Sequence, residues 1–210
     1  MRRRDFTAAL VLATSSDPVL FAGPATGGKW TSPFNGKSLD GWRTTGNASW
    51  SVEEGCLVGR QGGEQHDAAG DIFTVEQWAG FELECEWRMR FPGNSGLWFR
   101  VAGDHRKYGY QADFIDQPSH PNIYSGSLYC VGKAFIAENH DSATVHRDGW
   151  NHMRVRAAGP SITIAMNKRQ VIQINDATFP GPGSIGIQVH AGKEFAGMEV
   201  RVRNLRIRGL

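Results

Sequence analysis

The sequence contains no apolar run approaching the roughly 18 residues needed to span a bilayer, and it has no block of basic residues. The first absence argues against a transmembrane segment. The second, with a formal charge of only +2, argues against nucleic acid as a partner. Apolar repeats at helical spacing are missing too. Because 26 glycines, 9 prolines and 10% aromatic residues are present instead, we expect an all-β domain rich in turns.

Cysteine is also scarce, since only Cys56, Cys85 and Cys130 occur and they are widely spaced. This spacing is not that of a metal site, and neither HxH nor HExxH is found. The favoured interpretation is three buried, small hydrophobic side chains. One disulfide is the alternative if the protein is exported.

At the N-terminus, Arg2, Arg3 and Arg4 precede Asp5 and Phe6. Paired arginines followed by one residue and Phe resemble a twin-arginine export signal, and a basic tail without targeting function is the alternative. We therefore assign residues 1–29 to an export signal and linker, and residues 30–210 to a single β-sandwich domain. This predicts the periplasm or cell envelope as the location, or the cytoplasm if the signal does not function.

Alternation of apolar and polar residues predicts roughly ten to twelve short strands, and hence a sandwich of two antiparallel sheets. The clearest strand is FELECEWRMR, which places its apolar residues from Phe81 to Met89 on one face. Its other face carries Glu82, Glu84 and Glu86. We interpret these acids as a solvated outer surface, with a catalytic role as the alternative.

The segment from Asn94 to Asp116 holds the strongest candidate site. It reads as NSGLWFR and YQADFID, two strands joined by a polar loop. Strand parity places Trp98 and Arg100 on one sheet face beside Gln111 and Asp113. An aromatic ring, a fixed cation and a carboxylate on one face suit a polar ligand with a hydrocarbon surface, such as a sugar.

Eight motifs in order resemble one family, the 3-keto-disaccharide hydrolases, across Phe34 to Leu210. They are FNGKSLDGW, WSVEEGCL, the strand at Phe81, NSGLWFR, YQADFID, SGSLY, GWNHMRV and GSIGIQVHAG. The resemblance implies a jelly-roll sandwich of the concanavalin A-like lectin and glucanase type, export to the bacterial envelope, and cleavage of glycosides oxidised to a ketone at C3. Many relatives carry Glu where this chain has Gln111, which places the acid at Asp113 instead.

A ketone at C3 makes the C2 proton acidic, so a base can start elimination of the aglycone from C1, and water then adds to the enone. His190 is the candidate base, because imidazole titrates near neutrality. Arg100 is the candidate cation at the C3 oxygen, with an ion pair to Asp113 as the alternative. Asp113 is the candidate acid, metal ligand or partner of Arg100.

The remaining candidates would bind substrate. Gln111 and Gln188 would donate hydrogen bonds to hydroxyl groups, Trp98 would stack on the sugar ring, and Asp116 lies at the rim of the site. No cofactor is required by this reading, and a divalent metal held by His190, Asp113 and loop histidines is an alternative.

Two other functions fit the same fold. A retaining glucanase would use two carboxyls about 5–5.5 Å apart, and Glu84 and Glu86 are same-face neighbours that could supply them. A non-catalytic carbohydrate-binding module would bind a sugar without changing it.

Overall fold

The structure is a computed structural model that describes residues 27–64, 67–103, 108–116 and 120–210. The predicted export signal lies almost entirely outside these residues. Within them the chain forms fourteen strands and two single-turn 3₁₀ helices, at Ser142–Thr144 and Lys193–Phe195. The strands are β1 Trp42–Gly46, β2 Ser49–Glu53, β3 Cys56–Arg60, β4 Gly70–Trp78, β5 Phe81–Met89, β6 Gly93–Val101, β7 Tyr110–Asp116, β8 Tyr124–Cys130, β9 Ala134–Asn139, β10 Asn151–Ala158, β11 Ser161–Met166, β12 Arg169–Asn175, β13 Gly183–Val189 and β14 Glu199–Gly209.

These strands pair into two antiparallel seven-stranded sheets that pack face to face as a jelly-roll sandwich, as predicted. We call the sheet with the order β1-β4-β13-β6-β7-β8-β9 the site sheet. The sheet with the order β12-β11-β10-β5-β14-β3-β2 is the back sheet. No helix among the described residues is long and apolar enough to cross a membrane.

The core lies between the sheets and follows the predicted parity of β5. All five apolar side chains of that strand, from Phe81 to Met89, are buried. Trp87 of the back sheet stacks on Phe114 of the site sheet, with ring centroids 4.3 Å apart and planes 11° from parallel. Full burial of a large apolar side chain contributes about 1.5–3 kcal/mol, so these inward faces hold the two sheets together.

Two hairpins of the back sheet have two-residue turns. Glu54 and Gly55 link β2 to β3, and Asn167 and Lys168 link β11 to β12. All four have positive φ, between 47° and 75°. Consecutive left-handed residues match the twist of the flanking strands.

The three cysteines are free and buried, which confirms the interpretation of Cys56, Cys85 and Cys130 as small hydrophobic side chains.

Candidate functional site

An open cleft of about 500 Å³ lies on the face of the site sheet that points away from the core. Strands β6, β7, β8 and β13 form its floor, and residues 190–195 after β13 form one wall. One half of the lining is polar and the other is apolar. The polar lining residues are Asn94, Gln111, Asp113, His120, Gln188, His190 and Glu194.

Asp113 is the buried acid of this cleft. It lies on β7 opposite Gly96 of β6 and is only 3% exposed. Its Oδ1 has no hydrogen-bond partner among the described residues. Burial raises the pKa of this carboxyl well above its usual range, because a desolvated carboxylate is costly. The protonated form that burial favours is a hydrogen-bond donor.

Gln111 and Gln188 form a bridge across an intervening strand. Gln111 Nε2 donates to Gln188 Oε1 at 3.1 Å, although β6 separates β7 from β13. Gly96 permits this contact, because a Cβ at that position would lie 2.6 Å from Gln111 Cγ. The bridge orients both amides, and Gln111 Oε1 and Gln188 Nε2 have no other partner among the described residues, so they can bind ligand hydroxyls.

His190 follows the last residue of β13 instead of lying within the strand. Its backbone N–H donates to Asn94 O at 3.2 Å, which fixes it beside β6. Its Nδ1 lies 2.6 Å from Ala191 O. Because a carbonyl oxygen only accepts, Nδ1 carries the proton and Nε2 holds the lone pair of the neutral ring. This tautomer leaves Nε2 as a base.

The wall segment that carries His190 accepts hydrogen bonds from Gln61, the residue that follows β3 of the back sheet. Gln61 Nε2 donates to His190 O at 3.1 Å and to Gly192 O at 2.9 Å. Gly192 has φ 125°, and a Cβ there would lie 2.5 Å from Glu194 Oε2. The Glu194 carboxylate therefore folds back over Gly192 and lines the cleft without a partner among the described residues.

The apolar half of the cleft is aromatic. Trp98 lies in its floor at 3% exposure, and its Nε1 donates to Asp71 Oδ1 at 2.9 Å. So little surface leaves no ring face for a sugar to cover, contrary to the predicted stacking on Trp98. Tyr129 and Phe135 are more exposed and meet edge to face with centroids 6.0 Å apart, so they supply the accessible aromatic surface.

Arg100 lies away from the cleft, and the expectation that it shares a surface with Asp113 is corrected. The residue has φ 53°, so β6 leaves regular alternation there. The guanidinium is buried and donates to Ala79 O and Gly159 O, both at 2.8 Å. Arg100 therefore joins three chain segments and does not bind ligand in this arrangement.

Two further expectations concern Asp116 and a metal. Asp116 ends β7 opposite Gly93, and only its backbone is described. No group of three or more His, Cys, Asp or Glu side chains among the described residues comes together to hold a metal ion.

The acidic face of β5 lies on the back sheet, on the side opposite the cleft, which removes the retaining-glucanase hypothesis. Its glutamates are covered by arginines: Arg154 contacts Glu82 at 2.9 Å, and Arg206 contacts Glu84 at 2.5 Å. Arg203 donates to Glu86 at 2.7 Å. These carboxylates form ion pairs instead of facing a substrate.

Glu194, Tyr129 and Phe135 are among the cleft residues that were not predicted from the sequence. Glu194 lies in an irregular turn, where strand parity says nothing about direction. Tyr129 is the last residue of the motif SGSLY, and its distance along the chain from Asp113 hid that β8 pairs with β7. An aromatic residue in a predicted neighbouring strand is the signal that could have found it.

A family described as the 3-keto-alpha-glucoside-1,2-lyase-like domain matches residues 29–208 of the chain. The chain belongs to this family. A 3-keto-disaccharide hydrolase from Bacteroides thetaiotaomicron is 38% identical over 73 residues, which are 31% of this chain and 25% of that protein. The matched segment thus spans a quarter of that relative. This family match confirms the resemblance to the 3-keto-disaccharide hydrolases that the eight sequence motifs indicated.

Solved structures share the fold of this lyase-like domain at low sequence identity. The carbohydrate-binding module CBM66 of Bacillus subtilis has a TM-score of 0.62 and 22% identity, covering 79% of this chain and 93% of that one. A protein of unknown function with a galectin-like fold, also from Bacillus subtilis, has a TM-score of 0.68 and 14% identity, covering 82% and 92%. These similarities support the jelly-roll architecture.

Proposed function

We propose that the cleft cleaves 3-keto-glycosides by elimination and water addition. Family membership supports the substrate class, and the 2.6 Å contact between His190 Nδ1 and Ala191 O is the observation that supports the mechanism. An imidazole whose Nδ1 is fixed on Ala191 O presents a basic Nε2. In the proposed reaction, Nε2 removes the C2 proton and the electrons move to the C3 oxygen as an enolate.

Asp113 takes the role that the sequence suggested for Arg100. A carboxylic acid kept protonated by burial donates a hydrogen bond to the C3 oxygen as negative charge develops there. Such a donor costs no reorganisation during the reaction. The Gln111–Gln188 bridge would hold sugar hydroxyl groups and so orient C2 toward His190.

Glu194 would complete the cycle as the acid for the leaving group. When the enolate collapses, the C1–O bond breaks and the leaving oxygen takes the proton of the protonated Glu194 carboxyl group. Water then adds its oxygen to C1 of the enone and passes one proton to the Glu194 carboxylate. His190 Nε2, whose proton exchanges with solvent, returns a proton to C2. The sum is one glycoside and one water giving a 3-keto sugar and an alcohol, with no external oxidant.

The test compares a 3-keto-glucoside with its parent glucoside. The purified domain should cleave only the ketone, because the C2 proton of the parent is not acidic. In D₂O, deuterium should enter C2 of the 3-keto product as fast as cleavage occurs. His190→Ala should lower turnover by ~10² or more, while His140→Ala, an exposed histidine outside the cleft, should not.

Equal cleavage of both sugars would refute the elimination. A non-catalytic binding module is the second candidate, and it is favoured by the shared fold with CBM66. It predicts calorimetric binding of the sugar by wild type with no turnover of either compound.

A further inference from the structure

The outward faces of β5 and β14 form a ladder of paired charges on the back sheet. In the strand register, Glu82 faces Arg208, Glu84 faces Arg206 and Glu86 faces Arg203. The fourth rung breaks the pattern, because Arg88 faces Arg201. We call these two residues the arginine rung.

Like charges directly opposite on neighbouring strands destabilise a sheet. Arg201 is neutralised by Glu199 at 2.5 Å and by Glu53 at 3.2 Å. Arg88 is exposed and lies over the Trp150 ring, 5.2 Å from its centroid. It contacts no carboxylate among the described residues. A glutamate at this position would continue the ladder, so the arginine departs from a local rule, and such departures are expected at functional sites.

Both residues of the arginine rung line a second cleft, of about 450 Å³, at the turn between β5 and β6. Arg90 and Arg147 also line this cleft, and the Arg147 guanidinium lies over the Phe91 ring at 5.1 Å. The acids lining the cleft are Asp148 and Glu199, and Glu199 is already paired with Arg60 as well as with Arg201.

We propose that this second cleft binds the sulfate, phosphate or carboxylate group of a ligand, with Arg88 and Arg90 as its principal donors. Guanidinium groups bind such oxyanions through two parallel N–H···O bonds. The Trp150 ring under Arg88 fixes the plane of its guanidinium group and leaves the N–H edges available. The oxyanion is either a free ion or a group carried on an acidic saccharide.

The test measures binding of two probes by calorimetry at constant ionic strength, sodium sulfate and a sulfated hexasaccharide, each against sodium chloride. Wild type should bind at least one of them. Binding of sulfate and hexasaccharide with equal affinity identifies a free-ion site, and preference for the hexasaccharide identifies a saccharide-borne group. Arg90→Gln should weaken binding about tenfold or more.

Arg88→Glu is the decisive variant, because it removes a donor and completes the ladder opposite Arg201. It should abolish binding while its melting temperature without ligand stays at or above that of wild type. Arg169→Gln, an exposed arginine elsewhere on the back sheet, should bind as wild type does. No binding by wild type, or unchanged binding by Arg88→Glu, would overturn the proposal. The test uses no 3-keto substrate, so its outcome is independent of the proposed function.

Discussion

Asp113 couples the proposed chemistry to the stability of the fold. Its pKa is raised by burial in the native state, whereas in the unfolded chain an aspartate titrates near ~3.9. Above that pH the unfolded state loses a proton that the folded state keeps. The contribution of Asp113 to the free energy of unfolding is therefore fully present below about pH 4. It falls as pH rises toward the native pKa of Asp113, by ~1.4 kcal/mol for each pH unit.

Asp113→Asn should separate these two effects. The amide fills the same space and cannot ionise, so the variant should gain stability over wild type as pH rises from 4 to 8, measured by urea denaturation. It should also lose turnover, because an amide is a weaker donor to an enolate oxygen. A stability difference that does not change with pH would contradict the assignment. Asp40→Asn, on an exposed turn, is the matched control and should show neither effect.

Along β6, one residue changes the direction of the strand's polar face. Asn94 and Trp98 follow regular alternation into the cleft, while Arg100 at φ 53° turns its guanidinium to the carbonyls of Ala79 and Gly159. These carbonyls belong to the turns before β5 and between β10 and β11. The end of β6 is therefore fastened to the back sheet, and this holds the site sheet in place.

Arg100→Met should lower the free energy of unfolding by ~1–3 kcal/mol, because the carbonyl oxygens of Ala79 and Gly159 lose hydrogen bonds from a charged donor. Methionine bears the same positive-φ strain, so the comparison isolates the hydrogen bonds. The kcat for a 3-keto-glucoside should change less than twofold, as Arg100 does not line the cleft. A large loss of kcat in a fully folded variant would restore Arg100 to a catalytic role. Arg169→Met, on the surface, should leave the stability within about 0.5 kcal/mol.

The sheet face of each side chain could be predicted from the sequence where a strand alternates regularly. It could not be predicted at residues where the backbone departs from regular β geometry. The faces of β5 follow directly from its parity, and so do Gln111 and Asp113 on β7. Arg100 was misplaced because one left-handed residue reverses a face without any local sequence signal. Glu194 was missed because its direction depends on Gly192 and on Gln61, which binds the same loop from far along the chain.

The charged pairs of the protein set how its stability responds to extremes of pH. Burial opposes ionisation of Glu84, but His152 and Arg206 outweigh it and lower its pKa to about 2. Arg203 lowers the pKa of Glu86. At the other extreme, burial and a hydrogen bond to Asp176 raise the pKa of Tyr110 to about 12. Glu84 and Glu86 therefore stabilise the fold when the pH is above the ordinary pKa of a glutamate. Tyr110 stabilises it when the pH is below the ordinary pKa of a tyrosine.

We therefore expect the urea midpoint to fall steeply as pH drops from about 4.5 to 2, where the paired glutamates take up protons, and again as pH rises from about 10 to 12. Circular dichroism across pH 2–12 measures both arms. Tyr110→Phe should reduce the alkaline fall, and it should change the acid fall only through the lost hydrogen bond to Asp176. In the Asp113→Asn variant, whose buried amide does not titrate, a midpoint at pH 2.5 equal to that at pH 6 would show that the charge ladder adds no stability.

The three free, buried thiols determine how the fold responds to redox conditions. Since no sulfur–sulfur bond joins Cys56, Cys85 or Cys130, the native state requires no oxidant, and dithiothreitol should not change it. Burial raises the pKa of Cys85 and of Cys130, so little reactive thiolate forms. The same tertiary structure is therefore available to the chain under reducing and under oxidising conditions.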